Sequence, residues 1–251
     1  GNGMAETIDN CDMSLTVSYT DQIFPTACLQ EYTIERTYSV EDCSNNIAEH
    51  IQYITVEDFT APAFTAFPAD LADVECDAVP AIADLGTLAA ADNCDPVPSI
   101  VFVSEVRTDG SCADTYTLAR TWETEDCAGN THQRTQTIEV VDTTAPELAI
   151  ECPADMLHAN VCHADGDLSL EANGEVSWTD SDNCDADVDV SFTYADVTVY
   201  DCTADDSNDQ GSFTVTRTFT VTAVDNCGNT TILSCDQVLT FTDEESPLFD
   251  G

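Results

Sequence analysis

The side chains with chemistry to offer are thirteen cysteines and 49 acids in a chain of 251 residues. Cysteine at this density, with no Cys-x-x-Cys knuckle, points to disulfides and an oxidising compartment rather than a cytosolic zinc site. The acids recur in boxes. Asp92, Asp95, Glu125 and Asp126, with their equivalents elsewhere, offer the oxygen-rich surroundings that calcium takes. The competing reading is an Asx turn with solvated carboxylates and diffuse cation screening. No EF-hand spacing occurs. Asp58, Asp142, Asp243 and Glu244 add acids at repeat junctions and form a second calcium candidate. His158, Cys162 and His163 could hold a transition metal, although Cys162 is more economically spent on a disulfide. No Gly-x-Ser-x-Gly, His-Glu-x-x-His, P-loop or Rossmann pattern appears. Acid pairs are so abundant that a close pair carries no weight as a glycosidase dyad. The expectation is that the chain is not an enzyme and has no catalytic residue.

Five bases, all arginine, oppose the 49 acids, for a formal net charge of -44. No basic face can be built for nucleic acid or anionic lipid. Schiff-base chemistry and lysine isopeptide staples lack their amine. The chain is 43% apolar and can still bury cores. No apolar run is long enough to insert in a membrane. The opening Gly-Asn-Gly, without a signal peptide, reads as a mature or excised extracellular product.

Three phrases recur and organise these residues. Asp-Asn-Cys-Asp occurs at 9–12, 92–95 and 182–185. A Thr-rich phrase ending in an Asp/Cys/Asn hairpin occurs at 32–46, 116–130 and 213–229. A phrase ending in Thr-Ala-Pro or Glu-Ser-Pro occurs at 52–64, 136–148 and 237–249. These define repeat one (1–60), repeat two (61–144) and repeat three (145–251), the last with insertions. Within each, apolar residues alternate with period two and Gly, Asn, Asp and Pro punctuate the runs. The expected fold class is all-β: tandem Ig-like β-sandwich modules, disulfide-stapled. In repeat two, strands are expected at 99–107, 115–125 and 133–142, with a hairpin at Cys127-Ala-Gly-Asn.

A meander places the start of one strand beside the end of the next. That reasoning pairs Cys94 with Cys127, Cys11 with Cys43 and Cys184 with Cys227. The connector cysteines lie at the opposite end, so Cys76 is paired with Cys112 and Cys162 with Cys202. Cys152 and Cys235, on first and last strands, form a sixth pair. Spacing alone does not fix connectivity. Cys28 is left unpaired or intermolecular, because repeat one lacks the segment corresponding to 61–86. The resulting open edge and apolar face are a liability. Either the chain is excised from a longer array, or a neighbour completes repeat one by strand addition, with contacts through strand 13–19, Cys28 and the tail 243–251.

The repeated combination, Asp-Asn-Cys-Asp, Tyr-Thr-x-x-Arg-Thr, Asp-Cys-x-x-Asn and Asp-x-Thr-Ala-Pro, resembles the hyalin-repeat (HYR-like) Ig-type modules. Cys152-Pro153 and Cys235 are similar to that family's cysteine pair. The resemblance implies a secreted or cell-surface array, adhesive or structural, without catalysis. The truncated repeat one and the insertions in repeat three depart from the pattern.

Arg36, Arg120 and Arg217 fall at one equivalent position. They read as structural arginines held against carboxylates of their own repeat, with ligand binding as the alternative. Asn229-Thr230-Thr231 is the one N-glycosylation sequon. The leading functional expectation is a protomer of an extracellular filament or surface fibre, assembling head to tail with itself. The alternative is an adhesin or carbohydrate-binding stalk of a larger secreted protein, with glycans as partners.

Overall fold

A computed structural model of the chain describes residues 7–28, 30–161, 168–200 and 211–244. Cys162, His163, Cys202 and the tail from 245 onward lie outside the described residues. The protein is all-β, as the alternating pattern requires. Repeat one contains β1 (Thr16–Pro25), β2 (Tyr32–Glu41) and β3 (Ile47–Val56). Repeat two follows with β4 (Ala63–Ala66), β5 (Leu71–Glu75), β6 (Ala89–Ala91), β7 (Ser99–Asp109), β8 (Tyr116–Glu125) and β9 (Thr131–Val141). Repeat three supplies β10 (Glu147–Glu151), β11 (Met156–Ala159), β12 (Ser177–Ser181), β13 (Asp189–Tyr200), β14 (Phe213–Val224) and β15 (Thr230–Thr242).

Repeats two and three share one plan. A four-stranded sheet, ordered β5-β9-β8-β7 or β11-β15-β14-β13, is accompanied by a two-stranded sheet, β4-β6 or β10-β12. Among the described residues, repeat one has only the meander β1-β2-β3. Chain contacts divide the molecule into two compact units. One holds 1–70, 81–106 and 118–138; the other holds 71–80, 107–117 and 139–251. The divide cuts the long strands of repeat two.

Period-two patterning builds the cores. In β8, Leu118, Arg120, Trp122 and Thr124 are buried and alternate with partly exposed neighbours. In the first unit, Phe67 and Phe102 meet the fully buried Trp122 edge to face, each at 5.4 Å between centroids. In the second unit, Phe213, Val215, Leu239 and Phe241 form one cluster. Val176, Phe219 and Val221 form another, against Ile150 and Trp178. The middle strand of repeat one, β2, has the same alternation but no buried residue.

His158 stacks on Phe241 at 4.6 Å, and its Nε2 bonds Asn173 Oδ1 at 3.0 Å. This imidazole contributes packing and a hydrogen bond, and Cys162 and His163, the other members of the transition-metal reading, lie outside the described residues.

Candidate functional site

Chemistry concentrates where one repeat meets the next. Each hairpin after the central strand closes a tight loop. Asp42, Asp126 and Asp225 each donate N–H to the carbonyl of Asn46, Asn130 or Asn229, at 3.1–3.2 Å. The loop's fourth residue has positive φ in repeat one, as do the corresponding glycines: Asn45 (64°), Gly129 (88°) and Gly228 (91°). In each loop the Asn side chain bonds the loop's own Asp. Asn130 Nδ2 donates to Asp126 Oδ2 and to the main-chain carbonyl of Asp58, at 2.9 and 3.1 Å. Asn229 Nδ2 repeats this with Asp225 Oδ2 and the carbonyl of Asp142, at 2.8 and 3.2 Å. Each clamp grips the segment that leaves the preceding repeat.

Disulfides reinforce the clamps. Cys28 bonds Cys127, Cys76 bonds Cys184 and Cys112 bonds Cys227, with Cα separations of 5.5, 5.8 and 5.1 Å. All three bridge consecutive repeats. Cys152–Cys235 lies within repeat three. Cys11, Cys43 and Cys94 are free thiols.

This connectivity corrects the expected pairs Cys94–Cys127, Cys184–Cys227, Cys76–Cys112 and Cys11–Cys43, and it assigns Cys28 a partner inside the chain. The physical reason is local. The Asp-Asn-Cys-Asp box does lie beside the hairpin, since Cys127 N donates to Asp95 Oδ2 at 2.8 Å and Asn226 N to Asp185 Oδ2 at 2.9 Å. Those carboxylates hold the two loops together, and the sulfurs turn to the preceding repeat. The equivalence of Cys28 with Cys112, and the presence of one cysteine in each hairpin loop, Cys127 second and Cys227 third, carried this signal. One connector-to-hairpin rule satisfies both junctions. The expected Cys162–Cys202 pair falls outside the described residues.

Carboxylates converge at the same junctions. Asp142, Asp182 and Asp225 bring one oxygen each within 4.8 Å of one another, and Glu75 stands with Asp142 and Cys184 in a second such group. Asp142 and Asp225 are buried. Asp142 Oδ2 and Asp182 Oδ2 are buried with no hydrogen-bond partner. Burial first, then the charges of Asp225, Asp182 and Glu75, push the Asp142 carboxyl above its usual range. A triad of hard oxygen donors with two orphaned atoms fits calcium, which takes only oxygen. At the junction of repeats one and two, Asp58, Asp92 and the Cys94 thiol converge, and Asp92 Oδ2 is likewise orphaned. A sulfur in the set makes that group a poorer match for calcium.

The sequence-based calcium candidates therefore separate. Asp58 and Asp92 come together, and Asp142 joins Asp182 and Asp225. Asp126 and its equivalent Asp225 each bond their own loop through both oxygens, and of the two only Asp225 lies in a convergent group among the described residues. Asp95 spends its oxygens on Val97 N and Cys127 N. Glu125 is exposed and stands outside every convergent group among the described residues.

The three arginines each meet a carboxylate of their own repeat. Arg36 Nε and Nη2 grip Asp21 at 2.8 and 2.7 Å. Arg120 Nε donates to Glu105 at 2.6 Å. Arg217 grips Asp196 with two bonds of 2.8 Å. Arg217 is fully buried and Arg120 nearly so.

Asn229 is committed to the junction clamp through both amide hydrogens. A glycan there would cost one of these two bonds.

No family model matches the chain, and no curated protein matches it. Among solved structures, Drosophila N-cadherin EC1-4 is similar at 14% identity over 92% of this chain and 67% of that one, with a TM-score of 0.29. Human CDH23 EC21-23 is similar at 13% identity over 89% of this chain and 88% of that one, with a TM-score of 0.30. No helix among the described residues is long and apolar enough to cross a membrane.

Proposed function

We propose that the chain is a structural element of an extracellular filament or surface fibre, built from HYR-like modules 1–60, 61–144 and 145–251 that join head to tail with further copies. The supporting observation is that every described bridge except one links consecutive repeats. A binding domain needs one folded module; a load-bearing array needs its modules prevented from parting. Bridges that straddle the junctions meet the second need. Calcium at Asp142, Asp182 and Asp225 would offset two of the three carboxylate charges and stiffen the junction. The role is non-catalytic and mechanical, and repeat one is completed by a β-segment from a neighbour.

Negative-stain imaging of the purified, oxidised chain with calcium tests this. Filaments formed without any partner are expected. Discrete monomers at all protein concentrations would contradict self-assembly. Exposed rings at Tyr19, Phe24 and Tyr53 favour the second reading, an adhesin or carbohydrate-binding stalk. That reading requires a monomer that binds a glycan array.

A further inference from the structure

We propose that the uncovered face of β1-β2-β3 receives an extended segment of this repeat type, carrying a Pro-Ala-Asp signature and one cysteine, and that Cys94 captures it as a disulfide. The inference rests on the reading that repeats are completed across junctions, and it names the segment and the bond.

Repeats two and three show what the face is built to hold. Their opening segments share Pro-Ala-Asp followed by Leu or Met: Pro68-Ala69-Asp70-Leu71 and Pro153-Ala154-Asp155-Met156. The last strand recognises this signature the same way twice. Gln136 Nε2 donates to the Ala69 carbonyl and Gln237 Nε2 to the Ala154 carbonyl, at 2.7 and 2.9 Å. The Asp accepts from the next residue's main chain, Thr137 N to Asp70 and Val238 N to Asp155, at 2.7 and 2.8 Å. The central arginine adds a bond to another opening-segment carbonyl, Arg120 to Ala81 and Arg217 to Leu168.

Repeat one keeps the receiving side chains, and among the described residues no Pro-Ala-Asp segment meets them. Gln52, Tyr53 and Arg36 stand at the equivalent positions of β3 and β2. Tyr38 OH donates to Gln52 Oε1 at 3.0 Å, which leaves the Gln52 amide nitrogen for a carbonyl. Among the described residues no opening-segment carbonyl meets either side chain. The position of the fully buried Trp122 is taken by Tyr38, which lines an open groove of about 440 Å³ with Val17, Val40, Ala48 and His50. In repeat two the opening segment places Phe67 against Trp122. An aromatic side chain of an incoming segment fits the groove in the same way.

Cys94 supplies the second, independent observation. Its equivalent in repeat three, Cys184, is bonded to Cys76 of the opening segment of repeat two. Applied to the junction of repeats one and two, the same rule requires a cysteine on an opening segment docked to repeat one. Cys94 is the free thiol waiting there, half-buried beside Asp58 and Asp92. Burial, then those two carboxylates, raise its thiol pKa, so undirected reagents should favour the exposed Cys11 and Cys43.

The test uses the intact chain and a synthetic peptide of residues 61–91 with Cys76 held as a mixed disulfide with glutathione. In the capture step the Cys94 thiolate attacks the peptide sulfur. One S–S bond forms, one breaks, and glutathione leaves as the thiolate. Mapping of the adduct should place the peptide on Cys94, roughly tenfold or more faster than a scrambled peptide with the same cysteine. An Asp70→Ala peptide should lose most of that advantage. Adducts confined to Cys11 and Cys43, or equal rates for the scrambled peptide, would overturn the proposal. A Cys94→Ser chain should still gain melting temperature with the intact peptide; no gain would overturn the docking itself. A chain that captures the peptide yet never forms filaments defeats only self-assembly, and filaments without capture defeat only this inference.

Discussion

Cys112 of repeat two is bonded to Cys227 of repeat three, 115 residues further along the chain. Cys28 and Cys127 stand in the same relationship between repeats one and two. The two loops overlap, because Cys112 precedes Cys127. Covalent bonds therefore run from Cys28 to Cys127, back along the chain to Cys112, and across to Cys227.

This path limits extension under load. Between Cys28 and Cys227, only the 15 residues from Cys112 to Cys127 lie on the covalent route. At about 3.5 Å per residue that is roughly 50 Å, against roughly 700 Å for the unbridged segment. Single-molecule stretching should show the short contour in the oxidised protein and the long one after reduction. A long contour without reductant would refute the stapling.

pH acts on Asp142 in a definite direction, and calcium at the proposed triad would act in the opposite one. Its carboxyl pKa is raised in the fold, so the metal-free fold loses stability as pH rises from the unfolded-state value through the raised one, and the penalty persists above it. Asp142→Asn removes the penalty. In chelator at about pH 7 the variant should melt higher than the parent, and the gap should vanish near pH 3. With calcium the order should reverse, because the parent gains a ligand the variant lacks. A variant that responds to calcium as the parent does would eliminate the triad as a calcium site. Asp21 and Asp92 have lowered pKa values, the first from Arg36 and the second from main-chain N–H groups. Their contributions are present at neutral pH and disappear as acid protonates them.

Arg217→Ala removes a fully buried guanidinium, empties the space it fills and leaves the Leu168 carbonyl and Asp196 without it. The expected cost is about 3 kcal/mol, read as a drop in denaturant midpoint. Arg36→Ala, at the equivalent position on β2, should cost clearly less, since the Arg36 guanidinium is itself partly exposed whereas that of Arg217 is fully buried. Equal losses would show that burial does not separate the two pairs.

Asn130→Ala and Asn229→Ala each remove one linker contact and one loop bond. A loss of about 1–2 kcal/mol is expected for each, with faster amide exchange in the residues that follow Asp58 or Asp142. Unchanged exchange there would mean the clamp does not hold the linker.

Much of this was written locally and some was not. Alternation along 116–125 declares the buried face that ends at Trp122, and one arginine per repeat at a fixed place declares an internal ion pair. Those signals lie within a few residues of one another. The sulfur connectivity depends on which pole of one repeat abuts the next, and period-two patterning is silent on that. Asp95 and Asp185 show how near the local reading comes: they tie the box to the hairpin as a meander demands, yet the neighbouring sulfurs pair elsewhere. The role of Pro68-Ala69-Asp70 was hidden for a similar reason. The residues that recognise it, Gln136 and Thr137, are 67 residues away in sequence.

Peptide mapping of the unreduced, thiol-blocked protein tests the central claim most directly. The account predicts cross-linked fragments joining Cys28 to Cys127, Cys76 to Cys184 and Cys112 to Cys227, with blocking reagent on Cys94. Fragments joining Cys94 to Cys127 and Cys184 to Cys227 would contradict it, because each repeat would then be stapled to itself and those hairpin sulfurs would hold no neighbour.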